Sequence, residues 1–246
     1  MKYFILILLF LIFQTKNQAQ VTEVTYKRAI NLNEMSENIK EKYGEVGVKK
    51  IKERYNNYNK LTYSLLFNDN ESLFFLNPIE AALESEVEDN DFIQIVKREK
   101  NKKYYYNKNE DKLVYQTDLG GEKSLVLGKP NQLEWSITKN NKMISNFKSY
   151  KAVLIKGHNL LGYSEKVTIE VWFTPEIPVP FGPKQLEGLP GLILEAKFGN
   201  NIYYVSHIKQ SYDDEIAQPK KGKEITRQKF VTILLKFKEE FLEKNN

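Results

Sequence analysis

Residues 172–198 constrain the fold of this chain more than any other stretch. They read Trp-Phe-Thr-Pro-Glu-Ile-Pro-Val-Pro-Phe-Gly-Pro and run on through Gly-Leu-Pro-Gly-Leu-Ile, with four of the 8 prolines (Pro175, Pro178, Pro180, Pro183) close together. Each proline removes a backbone donor, fixes φ and biases the residue before it to extended geometry. A central strand cannot carry such a run, so the segment has to leave the ladder and travel as a stiff connector along an edge or over a rim. Trp172-Phe173 ends an apolar strand before it. Pro190-Gly191 suits the centre of a type II turn in which Gly191 takes positive φ, and residues 192–198 then re-enter a sheet. Gly188, Pro190 and Gly191 therefore read as a structural motif. Functional weight falls on the surroundings, with Trp172, Glu176 and Phe181 as binding candidates on the rim that the prolines build.

The rest of the chain alternates at period two. Val24, Tyr26 and Ile30 share a side, as do Leu61, Tyr63, Leu65 and Phe67. Residues 72–76 return after the turn residues Asn68-Asp69-Asn70-Glu71. Residues 92–97 are expected to pair with 102–106 across Glu99-Lys100-Asn101, followed by strands at 112–117, 123–127 and Leu133-Trp135-Ile137. A turn at Asn140-Asn141, strands at 150–155 and 165–173, and a hairpin at Gly199-Asn200-Asn201 complete the series. Two stretches change period. Residues 33–58 place Met35, Ile39 and Tyr43, then Ile51, Tyr55 and Tyr58, at helical spacing, split at Gly44 and Gly47. Residues 226–244 place Phe230, Val231, Leu234, Phe237, Phe241 and Leu242 on one stripe. Glu239, Glu240 and Glu243 oppose the helix dipole there, so packing has to hold that helix. The acidic stretch 78–91 reads as an exposed loop or short helix. The expected fold is mainly β: a curved antiparallel meander sheet, half-barrel-like, with a C-terminal helix and a short helical insertion near residues 33–58.

The N-terminus reads as an address. One charge at Lys2, an uncharged apolar run over 3–13 and Ala19 before the expected cut match a secretory signal peptide over residues 1–19, leaving residues 20–246 as a single β-rich domain. The apolar run is too short for a comfortable membrane span. Losing Lys2 and Lys16 lowers the formal charge from +5 to +3, too little to argue for nucleic acid or anionic lipid. The chain has no cysteine, which excludes disulfides, thiolate chemistry and a cysteine-linked lipid. The basic run from Lys97 to Lys103 beside Tyr104-Tyr105-Tyr106 imitates a nucleic-acid strand but reads as an exposed hairpin with a protected edge.

Little catalytic patterning is present. His158 and His207 lack the spacing of a metal site and read as ordinary polar residues, and no nucleophile elbow or cofactor motif occurs. Asp213-Asp214-Glu215 lacks the glycine and spacing of a calcium loop. Glu170 and Glu195 sit on the polar sides of two strands that flank the proline segment, a pair that could do acid–base work if their environments separated them.

Glu176-Ile177-Pro178, Gly182-Pro183 and the unaltered hexapeptide Gly188-Leu189-Pro190-Gly191-Leu192-Ile193 resemble the GLPGLI family of secreted bacterial proteins. Thr174-Pro175 and the late Pro219-Lys220-Lys221-Gly222-Lys223 fit the same pattern. The resemblance implies an envelope protein of bacteria with an outer membrane and no established activity. Where that pattern has a cysteine after a Tyr-Lys pair, this chain has Ala152 after Tyr150-Lys151, so no thiol-dependent role carries over. With 15 Tyr, 14 Phe and 2 Trp, the chain holds more aromatic residues than a plain sheet needs. The leading expectation is a non-enzymatic periplasmic protein that binds a hydrophobic ligand or an outer-membrane protein partner. A hydrolase built on Glu170 and Glu195, or an accessory subunit of an outer-membrane transport complex, are the alternatives.

Overall fold

A computed structural model describes residues 20–30, 36–77, 90–130, 132–163, 166–211 and 215–243. The expected signal peptide, the acidic stretch up to residue 89, and Asp213 and Asp214 lie outside the described residues. The chain is mainly β. Twelve strands form one open sheet in the order β12-β6-β5-β4-β3-β2-β1-β11-β10-β9-β8-β7. They are β1 Val21–Ile30, β2 Thr62–Phe67, β3 Glu71–Leu76, β4 Lys103–Asn107, β5 Lys112–Leu119, β6 Glu122–Gly128, β7 Glu134–Ile144, β8 Phe147–Lys156, β9 Ile169–Thr174, β10 Leu192–Phe198, β11 Asn201–Ser211 and β12 Lys223–Thr226. Among the described residues three α-helices accompany them: α1 Ser36–Asn59, α2 Asn90–Glu99 and α3 Arg227–Glu243.

The sheet is two meanders joined through the first strand. β2 to β6 form one wing and β7 to β11 the other, and β1 sits between β2 and β11, hydrogen-bonded on both sides. Val24 and Tyr26 of β1 are fully buried, which is why this strand belongs at the centre. The sheet is mostly antiparallel, as expected, and β12 adds to β6 in parallel, which makes it mixed. Two-residue turns with left-handed backbone close the hairpins at Gly120-Gly121 and Ser145-Asn146. At Gly199-Asn200 only the glycine is left-handed.

Three local expectations change. Residues 92–97 form part of α2, not a strand: Phe92, Ile95, Val96 and Glu99 are buried at helical spacing, while Lys97 and Arg98 face out. The tyrosine run that follows is β4, an interior strand between β3 and β5 and not an exposed edge hairpin. Asn140-Asn141 is not a turn; β7 runs through it, with a bulge between Ile137 and Asn141, and reverses at Ser145-Asn146. α1 breaks at Gly44, whose φ of 65° is non-helical, but continues through Gly47.

The largest core lies on one face of the sheet, here termed the inner face. It runs from Leu113 on β5 to Leu154 on β8 and takes in Phe92, Ile95 and Val96 of α2. The proline segment does not follow an edge or rim: it crosses this inner face, and Val179, Phe181, Leu186 and Leu189 are buried in the core. Most of the aromatic excess is spent here. Tyr63 stacks on Phe74 with centroids 5.4 Å apart, Tyr104 on Tyr115 at 4.3 Å, and Tyr203 meets Tyr63 and Phe198 edge-on. On the opposite face, Leu66, Leu73, Tyr105, Val114 and Leu125 are covered by Ile216. α3 starts with Thr226, whose Oγ1 accepts from the Lys229 N–H at 3.2 Å, and packs Phe230 against Tyr115.

Candidate ligand-binding site on the inner face

The proline segment is tied to the sheet at several points. Ile177 and Phe181 carbonyls accept from the N–H groups of Leu192 and Ile193, at 2.9 and 3.0 Å. The Tyr26 hydroxyl donates to the Ile193 carbonyl, and the Trp135 indole donates to the Glu187 carbonyl at 2.9 Å. β10 carries a bulge between Ile193 and Glu195, so Leu192, Ile193 and Leu194 are all fully buried and strict alternation fails there. Phe181 pairs with Glu187 in an isolated bridge, pinching 182–186 into a loop. At its tip Lys184 adopts left-handed backbone, φ 59°, a conformation that costs a non-glycine residue roughly 1–2 kcal/mol.

That loop delivers Lys184 into an aromatic cage. Its Nζ lies 4.9 Å from the Phe198 ring centroid, 5.1 Å from Tyr203 and 5.7 Å from Tyr163, and donates to the Tyr163 hydroxyl at 3.1 Å. No carboxylate lies within ion-pair distance of it among the described residues. Arg28 from β1 stands over Tyr58 at 4.3 Å and Tyr203 at 5.8 Å and donates to Asn201, while its buried Nε has no hydrogen-bond partner. Glu99 at the end of α2 accepts from Lys102 at 2.7 Å and from the Tyr63 hydroxyl at 3.3 Å. Burial works against the Glu99 carboxylate, but Lys102, Lys184 and Arg28 overcome it and hold it below the ordinary glutamate value. Burial likewise works against the Lys184 ammonium, and Tyr203, Tyr163 and Glu99 outweigh it. Tyr63 and Tyr104 are pushed well above the ordinary tyrosine value, chiefly by burial.

Two hollows meet at these residues. One, of about 230 Å³, is lined by Arg28, Tyr58, Glu99, Asn201 and Tyr203. The other, of about 390 Å³, has walls that include Tyr104, Tyr115, Leu161, Phe198, Phe230 and Leu234. Arg98, Lys102, Tyr163 and Lys184 line both. The larger hollow lies within the range of pockets that hold small ligands, roughly 300–1,000 Å³, and is apolar with a few convergent polar groups, as such sites are. Four cations, Arg28, Arg98, Lys102 and Lys184, line the two hollows with two carboxylates, Glu99 and Asp118. Each cation–π contact offsets roughly 0.5–2 kcal/mol, against a desolvation penalty of several kcal/mol per buried ion.

The residues singled out in the sequence do not converge. Phe181 is 1 % exposed and packs against Phe67 and Tyr106 in the core. Trp172 is half-buried on the outer face of β9, with Lys142 Nζ 4.3 Å from its ring centroid. Glu176 is exposed and accepts from the Lys148 N–H at 2.7 Å. Glu170 and Glu195 are diagonal neighbours on that same outer face, and each has its own lysine: Lys151 at 3.0 Å and Lys142 at 2.9 Å. His158 is buried in a 3₁₀ turn, His158–Leu161, and His207 is exposed on β11. Among the described residues no group of three or more His, Cys, Asp or Glu could hold a metal ion.

The hexapeptide differs from expectation in one respect. Gly188 carries the positive φ, 88°, and Gly191 does not. Gly191 is required for space: a Cβ there would lie 2.1 Å from the Thr174 carbonyl oxygen, where the end of β9 passes directly against the start of β10. Glycine at that position permits backbone contact, not a turn conformation.

A family model described as a protein of unknown function (Porph_ging) matches residues 157–195, which span the Tyr163–Lys184 contact and the hexapeptide. No curated protein matches the sequence. Two solved structures of PNGF-II, in the C2 and P21 space groups, superpose with TM-scores of 0.54 and 0.53 at 16 % identity over 89 % of this chain. The chain spans about a third of their length, 33 % and 34 %. At that identity the likeness extends to the fold alone.

Proposed function

We propose that this chain is a non-enzymatic envelope protein of the GLPGLI type that holds a hydrophobic ligand in the inner-face cavity. The observation that carries the reading is the larger hollow itself. It lies between β4, β5, the 158–163 turn and α3, and its walls are mostly aromatic and aliphatic. The signal-like residues 1–19 support an envelope address. No described helix is long and apolar enough to cross a membrane. Glu170 and Glu195 each pair with their own lysine on the outer face, and neither lines the two inner-face hollows, which weighs against the hydrolase alternative.

The test is titration of the purified protein with the neutral fluorophore N-phenyl-1-naphthylamine, alongside Leu234→Trp, which fills the cavity from α3. Saturable binding that weakens about tenfold or more in the variant, at unchanged Tm, supports the reading. Absence of saturable binding to the unmodified protein overturns it. One observation favours a protein partner as a second reading: β7 is a sheet-edge strand of 11 residues with Ile137 51 % and Met143 64 % exposed, a surface on which another strand can add. Envelope cross-linking at position 137 or 143 that captures no protein would remove that reading.

A further inference from the structure

Resting on the cavity reading above, we propose that the ligand is an amphiphile with an oxyanion at one end, a carboxylate or a phosphate monoester, seated against Lys184, Arg28 and Lys102.

The two hollows divide the labour. Hydrocarbon contact comes from Tyr115, Leu161, Phe230 and Leu234 in the larger one. The smaller one is a charged recess at its end, and Lys184 and Lys102 stand at the junction. Lys184 has three donors and uses one, on Tyr163. The buried Arg28 Nε has no hydrogen-bond partner. Lys102 is matched by Glu99, and Arg28, Arg98 and Lys184 outnumber the one other lining carboxylate, Asp118, which accepts from the Asn101 amide at 2.6 Å. A recess meant only for packing is filled more stably by apolar side chains of the same volume. Here the chain instead bends Lys184 into left-handed backbone and leads it through a pinched loop to put an ammonium inside. An incoming oxyanion would meet donors from Lys184 and Arg28 beside the tyrosine rings and form charge-assisted hydrogen bonds there. Arg98, held by its bond to the Tyr58 hydroxyl at 2.7 Å, adds positive charge at the rim. A cationic headgroup would face the opposite balance.

Calorimetric titration of the full chain with four ten-carbon probes tests this: decanoate, decyl phosphate, decanol and decylamine, at one ionic strength. Decanoate or decyl phosphate should bind at least about tenfold tighter than decanol, with decylamine weakest. A preference between the two anions identifies which oxyanion the site takes. Lys184→Met should bring decanoate down to the decanol affinity. The comparison among probes on the unmodified protein stands even if the variant fails to fold. Equal binding of decanoate and decanol, or a preference for decylamine, overturns the oxyanion inference and leaves the cavity reading intact. Failure of all four to bind overturns the cavity reading itself.

Discussion

A Cβ at Gly191 would sit 2.1 Å from the Thr174 carbonyl, whereas one at Gly188 would meet open space. Gly188→Ala should therefore cost only the left-handed backbone, roughly 1–2 kcal/mol by urea denaturation. Gly191→Ala forces β9 and β10 apart and should cost more than that or abolish folding; a smaller loss than for Gly188→Ala would refute the close-approach account. Glu99 sets a pH dependence. Its value is depressed below 4.5, so its contribution to stability is complete above about pH 4.5 and is lost as pH falls through the depressed value. Glu99→Gln should be destabilised at neutral pH by roughly 3 kcal/mol, because Lys102 loses its buried partner, and should flatten the acid limb of the stability profile. An acid limb as steep as in the unmodified protein would show that other carboxylates dominate it. Little of this was visible in the sequence. Glu99 and Lys102 were hidden by the strand reading of 92–97, although Phe92, Ile95, Val96 and Glu99 carry helical spacing. Lys184 gave no signal, since its placement depends on a backbone conformation and a bridge between Phe181 and Glu187.

Elements succeed or fail here by how they meet their neighbours. The Ser145-Asn146 turn holds two non-glycine residues at φ 47° and 70°, the backbone that Asn-Gly adopts most readily. Replacing the pair by Asn-Gly should stabilise the β7–β8 hairpin by about 1 kcal/mol, read as a raised denaturation midpoint; destabilisation would contradict the turn assignment. Phe230 anchors α3 on Tyr115, with ring centroids 5.5 Å apart. Phe230→Ala should cost roughly 3–5 kcal/mol and open the larger hollow, seen as faster hydrogen exchange along α3. The period-two pattern made most strands legible, and the stripe at Phe230, Val231 and Leu234 revealed α3. Short apolar runs rich in β-branched residues cannot be told apart by period alone, which is why α2 read as a strand. The bulge within β7 read as a turn because Asn140-Asn141 has turn chemistry without turn geometry.

The molecule as a whole is a sheet whose first strand closes the gap between two sequential wings, an arrangement that no local pattern encodes. Its mainly β character, the helical insertion near 33–58 and the C-terminal helix follow from periodicity. The central place of β1 and the parallel docking of β12 follow from long-range pairing. Burial of tyrosines across the sheet has a collective consequence: burial pushes Tyr105 and Tyr106 up to about 12, and Tyr26, Tyr63 and Tyr104 are raised as well. Groups whose folded value is raised support the fold below the ordinary tyrosine value and lose that support as pH climbs through the raised one. Absorbance at 295 nm should therefore lag free tyrosine above pH 10 and rise together with unfolding near pH 12; ionisation of these groups at pH 10 in the folded state would contradict their burial. The central claim is that a ligand occupies the inner-face cavity, and methyl NMR tests it most directly. With decanoate added to leucine- and methionine-labelled protein, the account predicts intermolecular contacts from the alkyl chain to the methyl groups of Leu161 and Leu234. Contacts confined to Met143 on the β7 edge, or none to any cavity methyl, would contradict it.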